Sequence, residues 1–395
     1  MRLQCIACAK QFPLDEIRYT CDCGNLLSVE RDTIGVGRDV FDARRASRNP
    51  IDQSGVWRFR EAVLDASAGD VVTHPEGATR LYERGGIFFK HEGENPTGSF
   101  KDRGMTVAMT QAKRLGARAV ACASTGNTSA SLAAYAAQAG LRAIVFIPSG
   151  KVAAGKLAQT IAYGATALSV RGGFDDAMRL VREACDKLGI YLVNSINPFR
   201  IEGQKTIVWE LLQDLEWNAP DWIVVPAGNL GNTSAFGKAL REARAAGWIE
   251  RMPRLAAIQA SGANPFYQSY REDFVQRHRV DAETVASAIR IGDPVSYEKA
   301  VAAIRATNGV VEQVTDEELM AAKGEIDRMG IGCEPASATT LAGVRKLRAA
   351  GVMRDGERIV CVLTGHILKD PDAILKTVKT IEIEPTLEAV GKALG

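Results

Sequence analysis

The sequence predicts an α/β protein built from two parallel-sheet units, with a short cysteine-bearing module ahead of them. Three observations carry this expectation. From about residue 76 onward short apolar runs alternate with helical stretches, the pattern left by parallel strands that crossover helices bury on both faces. More than six such runs occur, which divides most simply into two sheets. The chain has 395 residues, 46% hydrophobic and 24% charged, enough for two domains with a sizeable core and ordinary for a globular protein.

Charge narrows the partners. The 49 Lys and Arg residues against 47 Asp and Glu give a net charge of +2, so no overall field gathers nucleic acid or an anionic membrane, and any anion must be caught by a local site. A small molecule is the expected partner. The opening stretch MRLQCIACAK lacks the apolar centre of a signal peptide, and no apolar run approaches the ~18 residues of a membrane helix, so a cytoplasmic location is expected.

In chain order, the first element is the cysteine module. Cys5 and Cys8 form C-x2-C, and Cys21 and Cys23 form a tighter C-x-C followed by Gly24; two such hooks can close a tetrahedral thiolate site around zinc. The same pattern also suits a knuckle of reduced thiols without metal. Either way, four thiolates leave no open coordination position, so the module is expected to staple structure, not to catalyse. Cys122, Cys185, Cys333 and Cys361 lie scattered among apolar or helical segments and are expected to be buried thiols. Residues 31–75 read as a linker rich in turn residues and charge, with one helix over 57–66.

Strands are then expected at GIFFK, AVACAS, AIVFIP, ALSV, YLVNS, WIVVPAG, LAAIQAS and RIVCVLTG, with helices such as 174–188 and 234–246 between them. In open α/β sheets ligands gather beyond the carboxyl ends of strands. The small-residue clusters fall there: STGNTSAS after AVACA, AGNLGNTSA after WIVVP, and TGHILKD after IVCVL. Glycines let main-chain N–H groups approach a phosphate, while a following helix presents its positive end. The loop from Gly228 to Thr233 is the best such cradle, with a tight turn as its plain alternative. It matches neither the P-loop nor the dinucleotide fingerprint.

Lys101, in ENPTGSFKDRGM, is the chemically distinctive lysine. Gly98 and Ser99 are expected to cap a helix whose apolar spacing runs through Met105 and Met109, which puts Lys101 in its first turn. The helix dipole disfavours a cation there, and burial lowers an amine further. Most lysines are solvated and idle, but an uncharged amine beside glycine-rich turns is a Schiff-base candidate. Pyridoxal phosphate pairs an aldehyde for such an amine with a phosphate for a glycine loop.

The segments NPTGSFKDRGM, ASTGNTSASLAAYAA, NSINPFRIEGQKT, VPAGNLGN and LTGHILKD, in order over residues 76–372, resemble the motif series of the threonine synthases, a family of fold-type-II pyridoxal-phosphate enzymes. The resemblance implies a tryptophan-synthase-β-like architecture and a homodimer. Residues 1–30 would be a zinc-ribbon-like module, with structural zinc as an optional cofactor, and 31–75 an N-terminal extension. Residues 76–110 with 192–395 would form a larger cofactor-binding domain and 111–191 a smaller one.

Carried over residue by residue, the resemblance makes Lys101 the lysine that joins the cofactor's aldehyde and Asn127 the neighbour of its phenolic oxygen. It makes Gly228, Asn229, Leu230, Gly231 and Asn232 the cofactor-phosphate loop. Thr364 becomes the partner of the ring nitrogen, where a hydroxyl supports a milder electron sink than a carboxylate. Ser124, Thr125, Asn194, Ser195 and Arg200 become binders of the substrate's own phosphate, Arg200 with a bidentate fork. Without the resemblance, Thr364 also suits a helix N-cap, Asn194 and Ser195 strand-end turns, and Arg200 the surface. The implied reaction converts O-phospho-L-homoserine and water to L-threonine and phosphate, with Lys101 moving the protons.

Some residues depart from the family pattern. PEGATRL has Ala78 and Arg80 where the family has other residues, and Ile367, replacing a glycine, is expected to narrow the pocket. Asp175, Glu202, His366 and Lys369 read as solvated, structural or supporting groups. Two alternatives remain: a cysteate synthase using O-phosphoserine and sulfite, and a non-catalytic relative that binds the cofactor. Thr128 and GNLGN count against a dehydratase, whose pattern has histidine and a glycine run there.

Overall fold

The computed structural model describes residues 1–149, 154–371, 373 and 380–394. It opens with β1 (Arg2–Cys5), β2 (Gln11–Phe12) and β3 (Leu27–Glu30), which pair antiparallel in the order β2-β1-β3. Burial alternates along β1 and β3, so Leu3, Cys5, Leu27 and Val29 face the interior.

Residues 31–75 are more ordered than a linker. They hold α1 (Arg38–Arg45), α2 (Pro50–Gln53), a 3-10 turn at Trp57–Phe59 and α3 (Arg60–Val63), so the single helix expected over 57–66 is shorter and has company. Aromatic anchors explain this. Phe41 and Phe59 are fully buried and pack edge-on or tilted against each other and against Trp209 and Trp248, with ring centroids 4.9 to 5.6 Å apart. A few such side chains, each worth about 1.5–3 kcal/mol when buried, outweigh the turn-forming residues around them.

The main body follows as β4 (Leu81–Arg84), β5 (Ile87–His91), α4 (Lys101–Arg114), β6 (Ala119–Ala123), α5 (Asn127–Ala139), β7 (Arg142–Pro148), α6 (Ala154–Ala162), β8 (Thr166–Val170), α7 (Phe174–Leu188) and β9 (Tyr191–Leu192). It continues as α8 (Pro198–Gln204), α9 (Thr206–Asp214), β10 (Trp222–Pro226), α10 (Gly231–Ala245), β11 (Arg254–Ala260), α11 (Pro265–Arg271), α12 (Tyr297–Ala306), β12 (Val310–Val314), α13 (Asp316–Arg328), α14 (Pro335–Ala349), β13 (Ile359–Leu363) and α15 (Leu387–Leu394). Among the described residues, no helix is long and apolar enough to cross a membrane.

Two sheets result, as the alternation predicts. One has six strands in the order β12-β11-β10-β13-β5-β4, all parallel except β4; the other has four parallel strands in the order β8-β7-β6-β9. The central β10 and β13 are buried along their whole length, as continuous apolar runs require when helices cover both faces. Two strands of the six-stranded sheet were not foreseen from the sequence. β12 (VVEQV) carries polar residues at the sheet edge, and β4 (LYER) is half exposed and joined to β5 through Gly85 and Gly86, both at positive φ as a tight hairpin demands.

The N-terminal module touches elements of both sheets. The Leu192 N–H donates to the Tyr19 hydroxyl (2.7 Å) beside β9, and Gln111 of α4 donates to the Leu14 carbonyl (2.7 Å). Lys299 of α12 donates to the Leu27 carbonyl at 2.6 Å. Glu202 of α8, fully buried, gathers Arg31 (2.9 Å), Lys205 (2.5 Å) and Lys238 (2.6 Å). It is therefore a structural partner and not a solvated helix residue, whereas Asp175 is exposed.

Candidate active site

The carboxyl ends of β5, β6, β10 and β13 feed the four segments that the sequence singled out. Lys101 opens α4. The Phe100 N–H just before it donates to the Thr364 carbonyl (3.0 Å), and the His366 N–H donates to the Gly98 carbonyl (2.9 Å). The approach to Lys101 is thus laced to the turn after β13.

The expected Gly98–Ser99 cap does not form. Phe100 occupies the cap position, Gly98 sits at φ +82°, and the buried Ser99 Oγ has no partner among the described residues. The carboxylate of Asp102 does the bracing instead, accepting from the Thr97 N–H (2.7 Å) and from the hydroxyls of Thr97 and Ser131 (both 2.6 Å). A residue inside the helix stabilises the preceding turn, which the cap rule alone could not reveal.

Lys101 is half-buried, its amine 3.9 Å from the centroid of the Phe100 ring, with no carboxylate at ion-pair distance among the described residues. Burial pushes that amine down to about 7; the Arg200 guanidinium adds to the shift and Glu334 opposes it. Arg200 is buried on α8, not on the surface. Its Nη1 donates to the Val193 carbonyl (3.3 Å), its Nε lacks a partner among the described residues, and burial pushes the guanidinium down to about 10. Helices α4 and α8 come this close because both carry glycine at the crossing: a Cβ on Gly203 would overlap the Arg103 carbonyl, and one on Gly104 would lie 2.9 Å from the Arg200 carbonyl oxygen.

Asn127 begins α5 and donates to Glu334 Oε2 at 2.9 Å; Thr364 donates to Glu334 Oε1 at 3.1 Å and lies 3.0 Å from the Ser337 hydroxyl. Thr364 is therefore no helix cap. Glu334 and Ser337, which the sequence reading missed, join Asn127 and Thr364 into one hydrogen-bonded set. The available signal was an acidic residue before a proline in CEPASA, at the start of a buried helix.

Ser124 and Thr125 are half-buried after β6, where the Gly126 N–H donates to Ser124 Oγ at 3.3 Å. Asn194 extends the end of β6, its side chain accepting from the Ala123 N–H (3.0 Å) and donating to the Ala123 carbonyl (3.1 Å). Ser195 accepts from Asn229 Nδ2 at 2.7 Å, and Asn229 Oδ1 accepts from the Val295 N–H at 2.6 Å, so the glycine loop after β10 meets the segment after β9. In that loop a Cβ on Gly228 would lie 2.8 Å from Ile289 Cα; Leu230 stands at φ +61°, unusual for a non-glycine residue; and α10 starts at Gly231. Asn232 accepts from Gln204 Nε2 (2.7 Å), and the buried Thr233 hydroxyl has no partner among the described residues.

A cavity of about 440 Å³ opens beside Gly98 and Asn127 and is also lined by Gln159, His366 and Lys369. Lys369 donates to the Thr97 carbonyl (2.9 Å) and to Gln159 (2.8 Å), a supporting contact, and His366 stacks parallel to His91 with centroids 6.5 Å apart. Ile367 does not narrow this cavity; it lies against Gly332, where a Cβ would be 3.3 Å from its methyl. In the N-terminal sheet, the sulfurs of Cys5, Cys8, Cys21 and Cys23 lie within 4.8 Å of one another, a set able to hold a metal ion. Cys122, Cys185, Cys333 and Cys361 are buried and free.

Residues 71–365 match the model of a family described as pyridoxal-phosphate dependent enzyme. A threonine synthase of Methanocaldococcus jannaschii is 45% identical, over 100% of this chain and 99% of its own length. One from Methanosarcina acetivorans is 46% identical over 99% of each. Among solved structures, the threonine synthase of Escherichia coli superposes with a TM-score of 0.73 at 17% identity, covering 100% of this chain and 94% of the other, a likeness of fold.

Proposed function

This chain belongs to the threonine synthase family of pyridoxal-phosphate dependent enzymes, and from that premise we propose that it converts O-phospho-L-homoserine and water to L-threonine and inorganic phosphate. The residues present fit the cofactor. Ser99 Oγ, Thr233 Oγ1 and Arg200 Nε are buried polar atoms with no partner among the described residues, as groups reserved for a ligand are. Leu230 spends backbone strain at the start of α10, where a phosphate is favoured.

Bound pyridoxal phosphate supplies the electron sink that lets bonds at the carbons of an amino acid break and form. The chain supplies the rest. Lys101 is assigned to the cofactor's aldehyde, Gly228, Asn229, Leu230, Gly231 and Asn232 to its phosphate, and Asn127 and Thr364 to its ring. An amine whose charged form is disfavoured accepts a proton from the substrate α-carbon and then gives and takes protons at the β-carbon. Arg200 has no carboxylate partner among the described residues, so the substrate's phosphate supplies its counter-charge, with Ser124, Thr125, Asn194 and Ser195 around it. Phosphate leaves from the γ-carbon, and water adds at the β-carbon.

The single observation that carries this reading is Lys101: an amine near neutrality, free of any carboxylate partner among the described residues, tied by main-chain hydrogen bonds to the turn that holds Thr364. Incubation with O-phospho-L-homoserine, following phosphate and threonine together, tests it. Equal release of both by the unaltered protein, absent in Lys101→Ala, is the expected result; release of neither by the unaltered protein refutes it.

The two sheets support a larger domain of residues 76–110 with 192–395 and a smaller one of 111–191, β9 lying at their boundary; residues 150–153 and part of the final stretch fall outside the described residues. The sulfur cluster supports structural zinc in a module of residues 1–30. A homodimer and a cytoplasmic location rest on the family resemblance and on the composition.

A further inference from the structure

Glu334 stands at the start of α14, 3% exposed, with its carboxylate between the two side chains assigned to the cofactor ring: Asn127 Nδ2 at 2.9 Å from one oxygen and Thr364 Oγ1 at 3.1 Å from the other. Gly365 makes room for it, since a Cβ there would overlap the carboxyl group. Ser337 gives the chain of hydrogen bonds a direction. Its oxygen accepts from the Thr364 N–H (2.8 Å) and the Gly365 N–H (3.2 Å), which leaves its own proton for Thr364 Oγ1 at 3.0 Å. Thr364 then has one proton to place.

We propose that Glu334 is a positioning residue that fixes the amide of Asn127 and decides whether the Thr364 hydroxyl donates or accepts at the ring nitrogen of the cofactor. The inference rests on the cofactor reading above. An ionised Glu334 takes the Thr364 proton, so that only an acceptor oxygen faces the ring, which suits a protonated nitrogen. A neutral Glu334 donates to Thr364 and releases that hydroxyl to donate to an unprotonated nitrogen. Burial raises the carboxyl above its ordinary range, while hydrogen bonds from Asn127 and Thr364 and the charges of Lys101 and Lys369 draw it back. Among the described residues, those two lysines, from α4 and from the turn after β13, are cations that act on it, and the Cys333 thiol, itself raised by burial, is an adjoining titratable group.

The test reconstitutes the unaltered protein, Glu334→Gln and Ser337→Ala with pyridoxal phosphate. It records the pH midpoint of the cofactor's visible absorbance, the Kd for the cofactor, kcat and KM. Failure of the unaltered protein to take up cofactor overturns the cofactor reading, and the inference with it. Given uptake, loss of the carboxylate charge in Glu334→Gln lowers the midpoint by about one pH unit and kcat about tenfold, with KM little changed. Ser337→Ala shifts the midpoint in the same direction by less, because a Thr364 hydroxyl that receives no proton donates more weakly to Glu334. A Glu334→Gln protein that unfolds thermally like the unaltered one and keeps its midpoint and kcat overturns the inference. If Glu334→Gln does not fold, an unshifted midpoint in Ser337→Ala overturns it instead.

Discussion

The main-chain N–H of Phe100 donates to the carbonyl of Thr364 at 3.0 Å, so the residue before the candidate nucleophile is fixed to the first residue after the central strand β13. This bond, with its companion from His366 to Gly98, aims the start of α4 at the cleft without engaging the Lys101 side chain. Replacing Lys101 should therefore remove chemistry and spare the fold. Lys101→Ala is expected to lower threonine formation by at least about a hundredfold and to abolish the cofactor's visible band, with a melting temperature close to that of the unaltered protein.

The Lys101 amine sits at about 7 because burial and Arg200 disfavour its charge. The rate at which apoprotein takes up pyridoxal phosphate should therefore rise with pH through about 7 and level off, where an ordinary lysine would still be climbing toward 10. The sign for stability is fixed as well. A lysine with a lowered folded pKa binds its proton more tightly when unfolded, so its contribution to stability rises with pH from about 7 to 10.5 and is flat below 7. Stopped-flow absorbance across pH checks the first statement, and urea unfolding of apoprotein the second.

Glu202 holds Arg31, the residue that follows β3, to the body and sits with Lys205 and Lys238. Burial alone would raise its carboxyl; Lys205, Lys238 and Arg31 outweigh that and hold it at about 2. Its stabilisation is present above the ordinary carboxylate range and fades as pH falls toward 2. Glu202→Gln leaves three buried cations short of a partner and should cost about 3–5 kcal/mol, read by chemical denaturation at pH 7.

Gly203 lets α8 lie on α4, and α8 carries Arg200. A methyl at Gly203 would overlap the Arg103 carbonyl, so Gly203→Ala must part the helices. The expected cost is about 1–3 kcal/mol, together with a higher KM for the phosphorylated substrate as Arg200 moves. An unchanged KM in a folded variant would detach Arg200 from the substrate's phosphate.

The four clustered sulfurs of the N-terminal sheet predict one bound zinc per chain, measured by elemental analysis of protein purified without chelator. Cys21→Ser should lose the metal and lower the melting temperature while leaving cofactor uptake intact, because none of these cysteines borders the cleft residues.

Much of the fold was readable in the sequence because parallel strands such as β10 and β13 are continuous apolar runs, and the glycine clusters follow their carboxyl ends. What escaped depends on long-range packing. Phe41 and Phe59 order residues that look like a linker only by meeting Trp209 and Trp248 far along the chain. Glu334 is one acidic residue among many until folding sets it between Asn127 and Thr364. Ser99 failed as a cap because Asp102 braces the turn from inside the helix, a three-dimensional arrangement that adjacency in sequence does not specify.

One side chain, Lys101, is assigned to carry the cofactor. Reducing the pyridoxal-phosphate-loaded protein with borohydride, digesting it and locating the added mass by peptide sequencing in the mass spectrometer tests this directly. The expected result is a pyridoxyl group on Lys101 and on no other lysine. A label on Lys205, Lys369 or another side chain, or no label at all, would contradict it.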